Sequence, residues 1–267
     1  MNCMKQRFLD VATESAKKAG KILLEFYKKK PEITYKEDQS IVSEADLKAD
    51  SIIKIQLERN FPDHSILSEE SGEKMQESEY LWIIDPLDGS TNFSVHNPFF
   101  AVSIGLLHKL QPILGVIFSP IQNELFIAER NKGARLNNQL ISVNKDATLD
   151  TSFLAFCNGR DLHSRQNMAK IFYELKLKNN YIRQVGAAAL ELCYVAAGRF
   201  GGFFMTGVNP WDVVAGALIV EEASGTVTDF TNNLFSVKSS DIIASSPSIH
   251  KPLLNIIQQA LASKGGS

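Results

Sequence analysis

Phe8, Val11, Ala12, Ala16, Ala19, Ile22, Leu23 and Phe26 recur every three or four positions, with charged residues between them. That spacing lines one face of a helix and predicts a long amphipathic helix at the N-terminus. A second helix is expected from Ser43, whose capping-box partner Asp46 stands three residues on, towards Arg59. Phe61-Pro62-Asp63 ends it. The period then shortens. Apolar runs at 65–67 and 81–84 read as strands, and a meander follows over 101–107, 113–118 and 125–128. From 153 onwards strands (153–156, 202–205, 226–228) alternate with helices (166–177, 187–197, 210–224, 247–262). That rhythm favours a layered α/β lobe. There is no internal repeat or long linker. The expectation is therefore two lobes, 1–145 and 146–267, sharing one core.

The chain has 267 residues, 44% apolar and 22% charged, which excludes disordered and fibrous classes. A net charge of −2 gives no concentrated basic surface for a nucleic-acid polymer or an acidic membrane. Lys28-Lys29-Lys30 closes the first helix and reads as a solvated C-terminal cap. Cys3, Cys157 and Cys193 are too few and scattered for a disulfide framework, which points to a reduced, cytoplasmic compartment. Lys5, Arg7, Asp10, Glu14 and Lys17 leave no apolar leader core, and no run is long enough to span a bilayer. Lys264-Gly265-Gly266-Ser267 reads as a flexible tail.

Candidate chemistry lies in three acidic segments. In Trp82-Ile83-Ile84-Asp85-Pro86-Leu87-Asp88-Gly89-Ser90-Thr91-Asn92-Phe93 a buried strand delivers Asp85, Pro86 and Gly89 force a turn, and 90–92 opens a helix. Carboxylates there suit hard cations, and free N–H groups at a helix start suit a phosphate. One aspartate could be explained by an Asx-turn, but two in an apolar setting are not. Leu67-Ser68-Glu69-Glu70-Ser71-Gly72 and Asn209-Pro210-Trp211-Asp212 supply the others. Taken alone, the first is an ordinary solvated turn and the second a helix cap.

Together the segments resemble the signature set of the inositol monophosphatase family, the lithium-sensitive, magnesium-dependent phosphatases. The matches are Glu69-Glu70-Ser71, the segment from Asp85 to Phe93, and Trp211-Asp212-Val213-Val214-Ala215-Gly216. They extend to Lys36, the segment 40–46, the strand 100–105 and Gly186-Ala187-Ala188-Ala189-Leu190. The resemblance implies a five-layered α/β/α/β/α sandwich, mixed α/β in class, and commonly a homodimer. It implies two or three Mg²⁺ per site. Glu69, Asp85 and the Leu87 carbonyl would hold one, and Asp85, Asp88 and Asp212 a second. Glu69 would share a third. All these ligands are oxygens, and His64, His96, His108, His163 and His250 are dispersed without zinc spacing.

The reaction so implied is hydrolysis of a small phosphate monoester by direct attack of water. The N–H groups of Gly89, Ser90 and Thr91 would hold phosphate oxygens. Ser90, standing for the family's threonine, would orient the water with Asp46, although the capping box alone accounts for Asp46. Gly186, Ala187 and Ala188 would border the substrate, Asp212 would adjoin it, and Asn158 and Arg160 would face its organic part. Ser40 replaces a family acid. Met205 replaces the glutamate that bonds polyol hydroxyls in inositol-selective members, and it can equally be a core filler. Fructose bisphosphatase and nucleotide 3′-phosphatase activities share this metal core. A regulatory, partner-binding role on the same scaffold is the reading from another class.

Overall fold

The computed structural model describes residues 2–29, 33–35 and 41–263. Lys30, Lys36, Ser40 and the tail from Lys264 lie outside them. Helix α1 (Asn2–Tyr27) leads to a hairpin of β1 (Ile33–Tyr35) and β2 (Ile41–Ser43), then to α2 (Glu44–Asn60). Ser43 caps α2, with its Oγ accepting from Ala45 N at 3.2 Å and its own N–H given to Asp46 Oδ2 at 2.9 Å. The expected capping box is therefore present. Strands β3 (Ser65–Ser68), β4 (Gly72–Lys74) and β5 (Tyr80–Asp88) follow, with the short helix α3 (Ser90–Ser94) at the end of β5. The meander is β6 (Ala101–His108), β7 (Gln111–Ser119) and β8 (Glu124–Glu129), extended by the small strands β9 (Ala134–Leu136) and β10 (Gln139–Ile141). These make an eight-stranded sheet in the order β10-β9-β8-β7-β6-β5-β3-β4.

The second half contains β11 (Leu154–Asn158), α4 (Leu162–Lys176), β12 (Ile182–Arg183), α5 (Ala188–Ala196), β13 (Gly202–Thr206), α6 (Pro210–Glu222), β14 (Thr226–Thr228), β15 (Asp241–Ser245) and α7 (Pro247–Ala262). Its five-stranded sheet runs β12-β11-β13-β15-β14, with β11 and β13 parallel and β15 antiparallel to β13. The pattern predicted no strand over Asp241–Ser245, although β15 is internal to this sheet. Its apolar run, Ile242-Ile243-Ala244, is short.

The clusters of buried side chains give the layers. Trp82, Ile84, Val102, Ile104, Val116 and Phe118 face α1 and α2. The other face of that sheet meets α5 and α6, which also cover Phe203, Met205 and Ile242 of the second sheet. Phe204, Ile243 and Leu154 face α4 and α7. Both sheets are covered on both sides, which is why their central strands read as continuous apolar runs. The result is the expected five-layered α/β/α/β/α sandwich. Cys157 and Cys193 are buried free thiols.

The central layer is seated on glycine. Gly105 and Gly115 are register partners on β6 and β7, and α6 crosses them. A Cβ on Gly115 would lie 2.6 Å from the Ala215 carbonyl oxygen, whereas the nearest atom to one on Gly105 would be Val214 Cγ1 at 3.3 Å, with Ala215 in ordinary contact beyond it. On its other side α6 presses Gly216 against Leu192 of α5, where a Cβ would come within 2.6 Å. Gly115→Ala is expected to cost about 1–3 kcal/mol, because backbone on both sides must move. Gly105→Ala should cost less, since a side chain can give. Denaturant midpoints of the two variants check the order.

His250 is buried between two hydroxyls, with Nδ1 2.9 Å from Ser245 Oγ and Nε2 3.0 Å from Thr228 Oγ1. Burial holds its pKa below the ordinary 6.5. The unfolded chain therefore binds the extra proton first as pH falls, so the stability from neutral His250 is complete above about 6.5 and is lost below it. Plotting the unfolding midpoint against pH should show a component that disappears in His250→Gln. Identical profiles would contradict it.

Candidate active site

Strands β3 and β5 are parallel neighbours, with Ser68 opposite Ile84. Glu69 leaves β3 with its N–H on the Ile84 carbonyl at 3.1 Å, just where β5 continues into Asp85. Two carboxylates thus meet at the carboxyl ends of adjacent strands. In a regular strand Asp85 and Asp88, three apart, would point to opposite faces. The pairing of β5 with β6 instead slips by one residue between them, since Asp85 pairs with Ser103 and Asp88 with Ala101. This bulge turns both to the same side. Pro86, which has no N–H to lose, suits it. The tight turn expected at Pro86 is thus a bulge inside β5, and the chain turns only at Gly89 (φ 88°).

Each aspartate engages a local donor with one oxygen. Asp85 Oδ1 accepts from Leu87 N at 2.9 Å. Asp88 Oδ2 accepts from Ala189 N at 2.9 Å and Leu190 N at 3.3 Å, capping α5, whose own N-cap residue is the bare Ala187. Asp212 Oδ2 accepts from the Asn209 backbone at 3.1 Å and side chain at 3.2 Å, the cap its sequence suggested. The other oxygen of each stays outside these bonds.

Electrostatics tie the four acids together. Burial, then Glu69, Asp88 and Asp212, push the Asp85 carboxyl well up, and burial, Asp212 and Glu191 do the same to Asp88. Desolvation takes Asp212 to about 6 against the pull of the Asn209 donors and Arg160. A cation in their midst would relieve both burial and repulsion, and the all-oxygen set fits Mg²⁺ in kind. As placed, no three His, Cys, Asp or Glu side chains among the described residues form a metal-ligating group. The aspartates are turned to their N–H donors instead.

The cradle beside them is Gly89, Ser90 and Thr91. Ser90 is half-buried and Thr91 exposed, so solvent reaches it. Helix α3 has 5 residues. What it offers an anion is the free N–H groups of a first turn rather than the dipole of a long helix, a smaller effect than the sequence suggested. Asp46 is buried, and its Oδ2 accepts from the Ser43 N–H at 2.9 Å and from Ser43 Oγ at 2.6 Å. Desolvation raises it to about 6, with Glu70 adding to the rise. It is thus engaged at its own helix start, although β2 runs beside α3.

Gly186 (φ 89°) opens the turn into α5, and Gly89 packs against it. Two side chains that the sequence reading left without a role hold this turn. Asn92 Nδ2 donates to the carbonyls of Val185 at 2.8 Å and Gly186 at 3.3 Å. Glu191, wholly buried, accepts from Val185 N at 3.1 Å and from the Cys157 thiol at 2.9 Å. Burial pushes Glu191 up to about 8 against those donors. An acid inside the apolar run Ala188–Ala196 was the signal available for it, because such a group needs partners. Ala187 and Ala188 are buried beside the turn. Met205 is 6% exposed and packs with Phe203, Ile242 and α5. Its β11 register partner is Cys157, whose thiol donates to Glu191 at 2.9 Å.

The chain matches the sequence profile of the inositol monophosphatase family over residues 4–262. It is 38% identical to a Nus factor SuhB of Pasteurella multocida over 95% of this chain and 97% of that protein. It is 39% identical to an inositol-1-monophosphatase of Synechocystis sp., covering 96% and 89%. The solved extragenic suppressor protein suhB of Bartonella henselae superposes with a TM-score of 0.90 at 36% identity, covering 95% of this chain and 99% of that one. An inositol monophosphatase from Anabaena (Nostoc) sp. gives 0.85 at 38%, covering 97% of each. Fold and sequence agree, and the chain belongs to the inositol monophosphatase family.

Proposed function

We propose that this chain hydrolyses a small phosphate monoester in a Mg²⁺-dependent reaction at the site formed by Glu69, Asp85, Asp88 and Asp212. One observation carries the reading. At the end of β3, on β5 and on α6, Glu69, Asp88 and Asp212 add to burial in raising Asp85, and Asp212 adds to burial in raising Asp88, beside the accessible first turn of α3. Such a cluster would repel a phosphate dianion, and it serves one only when cations reverse its field. Glu69, Asp85, Asp88, Asp212 and the Leu87 carbonyl would hold them. Bound Mg²⁺ supplies Lewis-acid stabilisation and lowers the pKa of water.

The chain's own groups do the rest. The N–H groups of Gly89, Ser90 and Thr91 bind phosphate oxygens, and the Ser90 hydroxyl orients the attacking water. A water O–P bond forms, the ester P–O bond breaks, and the leaving alcohol takes a proton. Arg160, near enough to Asp212 to affect its titration, would face the organic part of the substrate. Met205 offers no acceptor to a polyol hydroxyl, and a site without that group discriminates weakly. Inositol monophosphate is therefore expected to be one substrate among several sugar phosphates.

The test is Mg²⁺-dependent phosphate release screened over inositol, sugar and nucleotide monophosphates. Release from several sugar phosphates supports the reading. Release only from a 3′-phosphonucleotide or from fructose bisphosphate moves the chain to those activities. The relatives named Nus factor SuhB favour a second reading, a partner-binding role on the same scaffold. No release from any ester by the folded, Mg²⁺-supplied protein would leave that one standing.

A further inference from the structure

The turn at 185–187 is held from both sides by buried side chains. Asn92, on α3, gives Nδ2 to the carbonyls of Phe99 at 2.8 Å, Val185 at 2.8 Å and Gly186 at 3.3 Å. Glu191, on α5, accepts from the Val185 N–H at 3.1 Å and from the Cys157 thiol at 2.9 Å. The Val185 N–H and the carbonyls of Val185 and Gly186 are thereby committed to these two side chains. What the turn offers the site is position.

That position matters in two directions. A Cβ on Gly89 would stand 3.1 Å from Ala187 Cβ and 3.3 Å from the Gly186 carbonyl oxygen, so the cradle rests directly on the turn. Immediately after the turn, the first N–H groups of α5 hold Asp88. The turn therefore backs the phosphate cradle and, through the start of α5, orients the Asp88 carboxylate.

We infer that Asn92 and Glu191 are positioning residues: together they fix the 185–187 turn, and through it both the seat of Gly89 and the α5 N–H groups that hold the Asp88 carboxylate. This rests on the reading of Asp88 as a metal ligand given above. Groups that orient ligands from behind typically cost about 10–100-fold in metal affinity when replaced. An acid buried in an apolar helix needs such a task, since burying it without partners is unfavourable.

Glu191→Leu keeps the bulk and removes every acceptor, whereas Glu191→Gln keeps one acceptor oxygen. Two measurements apply to each: amide exchange at 185–190 in metal-free protein, and Mn²⁺ affinity by calorimetry well below the melting temperature. Glu191→Leu should speed exchange and weaken Mn²⁺ binding about 10–100-fold, and Glu191→Gln should recover part of both. Asn92→Ala, which frees the carbonyls, should move both readouts the same way. A lower melting temperature with unchanged Mn²⁺ affinity would reduce Glu191 to a core residue and overturn the inference. Should Glu191→Leu not fold, Glu191→Gln with faster exchange and parental Mn²⁺ affinity overturns it equally. A parent that binds no Mn²⁺ removes the metal-site reading itself, which is a different result.

Discussion

Asp85→Asn is expected to abolish most Mg²⁺-dependent phosphate release while leaving the metal-free fold as stable as the parent or more so. The two effects have opposite signs for one reason. Asp85 is buried among Glu69, Asp88 and Asp212, all of which raise its pKa, so its charge is a burden to the protein by itself. The amide has nearly the same shape, and its Oδ1 can still accept the Leu87 N–H. Folding thus loses a repulsion and keeps a hydrogen bond. Catalysis loses the central anionic ligand, and metal-based stabilisation is worth several kcal/mol, or more than about 10²-fold in rate. Thermal melting with and without Mg²⁺, alongside phosphate release, tests both halves. The parent should gain stability from Mg²⁺ and the variant should not. Substantial Mg²⁺-dependent turnover by the folded variant would remove Asp85 from the metal site.

Ser90→Ala is expected to lower kcat by about 10²–10⁴-fold, the usual range for a group that positions or takes up a proton, with a smaller change in KM. Ser90 is the first residue of α3, half-buried at the site edge. Its backbone N–H, which would contact phosphate in substrate and transition state alike, survives the substitution. Only the hydroxyl goes, and its work on the water is realised as the O–P bond forms. Deleting such an interaction shows in kcat rather than in binding. Ser90→Thr should retain activity, since the branched side chain restricts the same hydroxyl to fewer rotamers. If Ser90→Ala turns over nearly as well as the parent, the hydroxyl has no part in the chemistry. Asp46, already bonded to Ser43, then needs no role beyond its cap.

The parts of the site legible in sequence were those whose cause is local. A strand running into Asp-Pro-Leu-Asp-Gly, another into Glu-Glu-Ser, and Asn-Pro before a helix carry their geometry in a few consecutive residues. The metal-ligand candidates came from these. The bulge that puts Asp85 and Asp88 on one side depends on pairing with β6, which no residue of β5 announces. The bonds of Asn92 to Val185 and Gly186 join α3 to the second half of the chain, and those of Glu191 to the turn and to Cys157 exist only once α5 is docked. The long helices and the central meander were legible because their periodicity runs over many residues. Strands β4, β9, β10 and β12 were not, because two or three residues at a sheet edge carry too little period to read.

The glycine seat of α6 bears on how the protein is made. The face of the first sheet formed by Ile83, Gly105, Leu107 and Gly115 is covered by Val214 and Ala215, which the ribosome delivers about a hundred residues later. At roughly 5–20 residues per second, that face stays bare for about 5–20 s of synthesis. A smooth surface without protruding side chains at Gly105 and Gly115 offers a nascent neighbour little to interlock with, yet accepts α6 closely when it arrives. The candidate ligand Asp212 rides in on the first turn of that same helix. The arrival of α6 therefore covers that face and brings in the last of the four acids together, so a chain stalled before α6 would have neither.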